Sequence, residues 1–99
     1  MDENFKKKIA EDFGLGNMDS REQERMIEKI GNLLFESVVE RAVDVMDESV
    51  MNEFDDVISN AGNDYQKVIS FLKSRVPGFD EIVSGELSRL KRATSGIFA

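Results

Sequence analysis

An all-α fold is predicted, a compact bundle of four main helices plus an N-terminal helix, and three observations predict it. Apolar residues recur at intervals of three and four in separate stretches, the spacing that lines one face of a helix. The breaks between stretches carry helix-boundary chemistry, at Gly14, Asp19, Asp47, Gly62 and Pro77. Only Val38-Val39 reads as strand-like, and no second strand candidate exists to pair with it.

The first helix is expected over Asp2–Phe13, where Phe5, Ile9 and Phe13 form one narrow apolar stripe. Asp2 and Glu3 suit the positive end of its dipole. Gly14 is placed as the left-handed residue after the helix, with Leu15 folding back on the last turn. The second helix, from Asp19 or Ser20 to Met46, is the longest. Asp19 with Glu22, or Ser20 with Gln23, makes a capping box. Met26, Ile27, Ile30, Leu33 and Leu34 form its first stripe. Beyond Leu34, apolar residues Phe35, Val38, Val39, Ala42, Val43, Val45 and Met46 cover more than half of the circumference. Glu36, Ser37, Glu40, Arg41 and Asp44 are squeezed onto the remaining strip. Gly31 stands where the stripe rotates, a place for a bend.

The third helix is expected over Glu48–Ala61, capped by Asp47 or Ser49, with Val50, Phe54, Val57, Ile58 and Ala61 inward. Gly62 ends it at a left-handed position. Asn63 or Asp64 caps the fourth, Tyr65–Arg75, which turns Tyr65, Val68, Ile69, Leu72 and Val76 inward. Pro77 forces Val76 out of helical geometry. The fifth, Phe79–Thr94, buries Phe79, Ile82, Val83, Leu87 and Leu90, with Lys91 and Arg92 at the favoured C-terminal end. One domain is expected over 1–99: an N-terminal helix and loop at 1–16, a helical core at 17–94 and a frayed tail at 95–99.

Composition narrows function. The chain has no histidine, cysteine or tryptophan, so it lacks the side chains that do most acid–base, thiol and transition-metal chemistry near neutral pH. A net charge of -7 opposes binding to nucleic-acid phosphates and to anionic membranes, and permits a basic partner. No apolar run approaches the roughly 20 residues of a membrane span. No apolar stretch follows Lys6-Lys7-Lys8, so no signal peptide is expected, and the cytoplasm is the expected location.

The order of the helix signals is itself distinctive. A long helix reads Ile-Gly-Asn-Leu-Leu-Phe-Glu-Ser-Val-Val-Glu-Arg at 30–41. Asp47-Glu48-Ser49 and Gly62-Asn63-Asp64 open the next two helices. Phe71-Leu72-Lys73 precedes Val-Pro-Gly-Phe-Asp-Glu-Ile-Val at 76–83, then Glu86-Leu87 and Leu90-Lys91. In this the chain resembles a family of short, uncharacterised, all-helical bacterial proteins, catalogued as a domain of unknown function and seen mostly in candidate-phylum bacteria. The likeness runs from Gly14 to Arg92 and consists of helix punctuation plus core positions. It implies an all-helical fold, and it carries no assigned activity and no functional residues.

The charged clusters have plain structural explanations. Glu36, Glu40 and Asp44 fall on one helix strip and could hold a hard cation, but histidines normally complete such bundle sites. A solvated face partly neutralised by Arg41 explains them at a cost of a few tenths of a kcal/mol per like-charge pair. The acidic run around Glu53, Asp55, Asp56 and Asp64 lacks the ligand alternation of a calcium loop. Gly14-Leu15-Gly16 follows a helix and is no phosphate loop. Lys6-Lys7-Lys8 and Arg89, Lys91 and Arg92 are basic clusters without the aromatic interleaving of single-strand binders. No nucleophile stands beside a base, so no enzyme activity, cofactor, metal or small-molecule substrate is expected.

The strongest functional lead is the broad apolar side of the second helix. Either neighbouring helices cover it on both flanks, or one flank meets a partner. The second alternative makes Phe35, Val39, Val43 and Met46 candidate protein-interaction residues, in a structural or interaction module that takes a protein partner or a second copy of itself. Phe5, Ile9 and Phe13 would then form a detachable second contact element. The competing expectation is an acidic inhibitor or nucleic-acid mimic that occupies a basic groove on a target.

Overall fold

The computed structural model describes residues 3–62 and 64–94. Among them, five helices and no strand are present: α1 (Glu3–Asp12), α2 (Ser20–Asp44), α3 (Glu48–Ala61), α4 (Tyr65–Arg75) and α5 (Phe79–Ala93). The expected tail at 95–99, the expected first helical residue Asp2 and the alternative cap Asn63 lie outside the described residues.

The helix boundaries follow local chemistry. After α1, the Leu15 amide donates to the Ala10 carbonyl at 2.9 Å and the Gly14 amide to Glu11 at 3.3 Å. These are the two bonds of a Schellman motif, and they require the positive φ of 68° that Gly14 adopts without a Cβ penalty. Asp19 caps α2 by accepting from the Glu22 amide at 3.0 Å. The helix runs unbroken through Gly31 and stops at Asp44 rather than Met46. There the Val45 and Met46 amides donate to Ala42 and Val43, tightening the last turn to three-residue spacing. Asp47 caps α3 through the Val50 amide at 2.8 Å, and Asp64 caps α4 through the Gln66 amide at 3.1 Å. Gly62 has φ 60° and ψ -121°, the first central position of a type II′ turn rather than the left-handed helical well. The Asp64 amide closes that turn on the Ala61 carbonyl at 3.0 Å. Val76 is extended before Pro77, as proline sterics demand.

The helices associate chiefly as pairs. α2 packs along α5, α3 packs along α4, α1 docks on α2, and α4 meets α5 over a short stretch. The result is elongated, 45 × 25 × 18 Å. One core runs through all five helices, with Ile9, Leu15 and Leu72 wholly enclosed. Burial of each such side chain is worth about 1.5–3 kcal/mol. Phe13 also lies in that core, so the stripe read as a detachable element has two of its three members inside the common interior. Phe5 alone stays half-buried.

Three side chains expected inward are exposed: Leu33 (47%), Ile58 (45%) and Tyr65 (54%). Leu33 and Ile58 lie toward the edge of an apolar arc, whereas Tyr65 is the first residue of α4, at the open end of its arc. Packing by a single main neighbour covers a narrower stripe than the sequence offers.

Candidate protein-interaction groove

Because α2 pairs with α5, and α4 with α3, the backbones of α2 and α4 are not packed closely along their lengths. A groove of about 780 Å³ opens there, flanked also by α1 and α5. That size is within the ordinary range of binding clefts, roughly 300–1,000 Å³. The buried side chains of Ile27, Leu34, Val38 and Phe79 form its floor. Half-buried Phe5, Phe35, Ile69 and Val83 line its walls. Gly31 also lines it.

One contact spans the groove. The rings of Phe35 and Tyr65 meet with centroids 4.9 Å apart, tilted by 55°. That tilted geometry suits the ring quadrupoles. Around the apolar surface stand Lys6, Glu24, Glu28, Lys73 and Asp80. Lys6 donates to Glu24 at 2.8 Å and lies 3.7 Å from Glu3. Its pKa is raised, first by the hydrogen bond to Glu24 and then by the charge of that carboxylate.

The wall formed by α2 and α5 is pinned by a polar cluster. Glu86 is 8% exposed, the one buried charged side chain among the described residues. The Ser37 hydroxyl donates to it at 2.8 Å. The guanidinium of Arg89 lies 3.0 Å from the same carboxylate, and that of Arg41 lies 3.8 Å away. The opposite wall is pinned by the Phe54 and Phe71 rings, 6.0 Å apart, and by the Arg75–Glu53 ion pair.

The four residues predicted for interaction do not share one environment. Phe35 lines the groove. Val39, Val43 and Met46 continue its stripe toward the end of α2, outside the groove lining, and are half-buried against the core. Sequence reasoning missed Ile69 and Tyr65 as groove residues, because their meeting with α2 depends on helix placement. It also missed the Glu86 cluster. A signal was present: Glu86 stands seven residues after Phe79 and four before Leu90, so the only acid on that stripe interrupts an apolar face.

The other candidates sort simply. Arg41 bridges Asp44, at 3.5 Å, and Glu86, while Glu36 and Glu40 are exposed. Lys8 pairs with Asp12 at 3.2 Å. No group of three or more acidic side chains among the described residues is placed to hold a metal ion. None of the described helices is long and apolar enough to cross a membrane.

No curated protein and no solved structure matches the chain. Residues 9–94, from the middle of α1 to the end of α5, match the family described as protein of unknown function (DUF5663). The matched segment takes in all of α2, α3, α4 and α5 and leaves the α1 groove residues Phe5 and Lys6 outside it, and the chain belongs to this family of unknown function.

Proposed function

We propose that the chain is a non-enzymatic interaction module that takes an apolar segment of another protein into the groove between α2 and α4. One observation carries this reading. An apolar floor built from Ile27, Leu34, Val38 and Phe79 faces a solvent-open concavity, with the half-exposed ring of Tyr65 at its edge. Small domains rarely leave so large an apolar hollow without a use. Phe35 ties the stripe expected from sequence to this hollow, and Val39, Val43 and Met46 extend the contact surface along α2. Binding by apolar packing needs no cofactor, which suits a chain without histidine or cysteine.

Self-association through the same stripe brings two copies of charge -7 together, so a different, less acidic protein is the better-matched occupant. The acidic-mimic reading is weaker. Glu24, Asp12, Asp44, Glu53 and Glu86 are each engaged by a lysine or arginine of the same chain, which thins any continuous acidic row.

The test is selection of random peptides on the folded chain, with counter-selection on Ile69→Glu. Selected peptides should bind at micromolar levels and move the NMR signals of Phe35, Ile69 and Val83. Peptides that map elsewhere, or a selection that returns none, overturn the proposal. Molecular mass measured across concentration, for the wild type and Val39→Glu, separates a second copy from a foreign partner.

A further inference from the structure

The charges around the groove point to the chemistry of its occupant. Lys6 is engaged with Glu24 and Glu3, so it adds little attraction of its own. Glu28 on α2 and Asp80 on α5 are exposed and form no ion pair among the described residues. Lys73 on α4 is likewise unpaired, which leaves one negative charge in excess on the rim of a chain that is already acidic overall.

Dimensions select the kind of ligand. The lining residues of α2 run from Glu24 to Val38, about 21 Å of helix at about 1.5 Å per residue. A helix of about 10 Å diameter, sunk to half its depth, displaces roughly 60 Å³ per residue. The groove volume of about 780 Å³ then holds roughly 13 residues, or about 20 Å of helix. A small apolar molecule would leave its outer side in water, whereas an amphipathic helix presents a polar face there.

We infer that the groove receives an amphipathic helix of a partner protein, with basic residues flanking its apolar stripe so that they meet Glu28 and Asp80. The inference rests on the groove being a protein-binding surface and adds the charge of what it binds. Electrostatic matching of this kind selects among partners more than it adds raw affinity.

The experiment titrates the intact chain with three labelled peptides of about 16 residues, long enough to form a helix on the surface. One carries a leucine stripe flanked by lysines, one the same stripe flanked by glutamates, and one the scrambled leucine–lysine composition. Salt is held near 0.15 M, so that only close charges contribute. The lysine-flanked helix should bind at least about tenfold more tightly than either of the others. In the Glu28→Lys, Asp80→Lys double variant, both substitutions on exposed positions, the preference should pass to the glutamate-flanked helix. Equal binding of the two striped helices, with the scramble weaker, overturns the basic-partner inference and leaves the groove as a binding surface. A scramble that binds as well as the lysine-flanked stripe overturns both. A double variant that keeps its fold and its preference for lysine assigns the selectivity elsewhere and overturns the inference.

Discussion

Glu86 is the position where one substitution best separates charge from packing. Its carboxylate is 8% exposed and accepts from Ser37 at 2.8 Å. A hydrogen bond to a charged acceptor contributes about 1.5–3 kcal/mol. The pair with Arg89 at 3.0 Å adds less than about 1 kcal/mol, because the arginine side chain is 54% exposed and screened by water. The Arg41 contact, at 3.8 Å and with its arginine side chain 47% exposed, adds less again. Glu86→Ala removes the acceptor and leaves a gap between α2 and α5, a loss of about 2–3 kcal/mol. At about 4–8 °C per kcal/mol for a domain of this size, the midpoint of thermal unfolding falls by roughly 10–20 °C. Glu86→Met fills the space without a charge to desolvate and should stay within about 1 kcal/mol of the wild type. Far-ultraviolet circular dichroism during heating and urea titration reads all three proteins. An alanine variant within about 0.5 kcal/mol of wild type would refute the assignment of this cluster as the clamp between α2 and α5. A methionine variant as unstable as the alanine one would refute the claim that desolvation offsets most of the charge pairing.

Three further outcomes are expected. Leu15→Ala should cost about 2–5 kcal/mol in urea unfolding, because the side chain is wholly enclosed; a loss below about 1 kcal/mol would mean that α1 and its loop stand apart from the core. Gly85→Ala should stabilise α5 by about 0.5–1 kcal/mol, since nothing lies within 4 Å of the added methyl group, whereas Gly62→Ala should destabilise by about 1–3 kcal/mol through its φ of 60° despite equally open surroundings. The Lys6–Glu24 pair raises the lysine pKa above its usual 10.5, so its stabilising effect is fully present below that pH and is lost as pH rises through the raised value. Wild type should therefore exceed Lys6→Gln in stability at pH 8–10, and the difference should vanish in more alkaline solution; a difference independent of pH sinks this assignment.

Helix boundaries were legible because their causes are local. A carboxylate at Asp19 or Asp47 bonds amides within three residues, and Pro77 acts on its immediate neighbour. The bounds of α3 and α4 accordingly fall where the pattern places them. Which part of each apolar arc is covered was not legible. Leu33 and Ile58 sit in arcs wider than the surface that one neighbouring helix hides, and periodicity alone does not say where the neighbour lies. The groove is more remote still. It depends on how α4 stands opposite α2, where Tyr65 meets Phe35 across thirty positions of sequence, and on the pairing of α2 with α5, where Ser37 finds Glu86 forty-nine positions away. Half of the predicted stripe's meaning was thus in α2 and half in helices that the stripe does not mention.

The arrangement of clamps implies how the groove responds to an occupant. Each wall is held within itself, α2 to α5 through Glu86 and α3 to α4 through Phe54, Phe71 and the Arg75–Glu53 pair. The walls share the common core, and beyond it they are joined by the short meeting of α4 with α5, the turns at Asp47 and Pro77, and the ring contact of Phe35 with Tyr65. Elements that pack less extensively on each other than within each pair open at lower free energy than the pairs themselves. Tyr65 is more than half exposed, so Tyr65→Ala should cost only about 0.5–1.5 kcal/mol of global stability, the worth of one aromatic pair. Amides of α4 should nonetheless exchange with solvent faster than those of α2 in the variant, while the slowest amides of α2 and α5 change only by the global loss. Uniform acceleration across α2, α4 and α5 would mean that the two walls open together as one unit, and the groove would then be a fixed hollow rather than a gap between two separately braced halves.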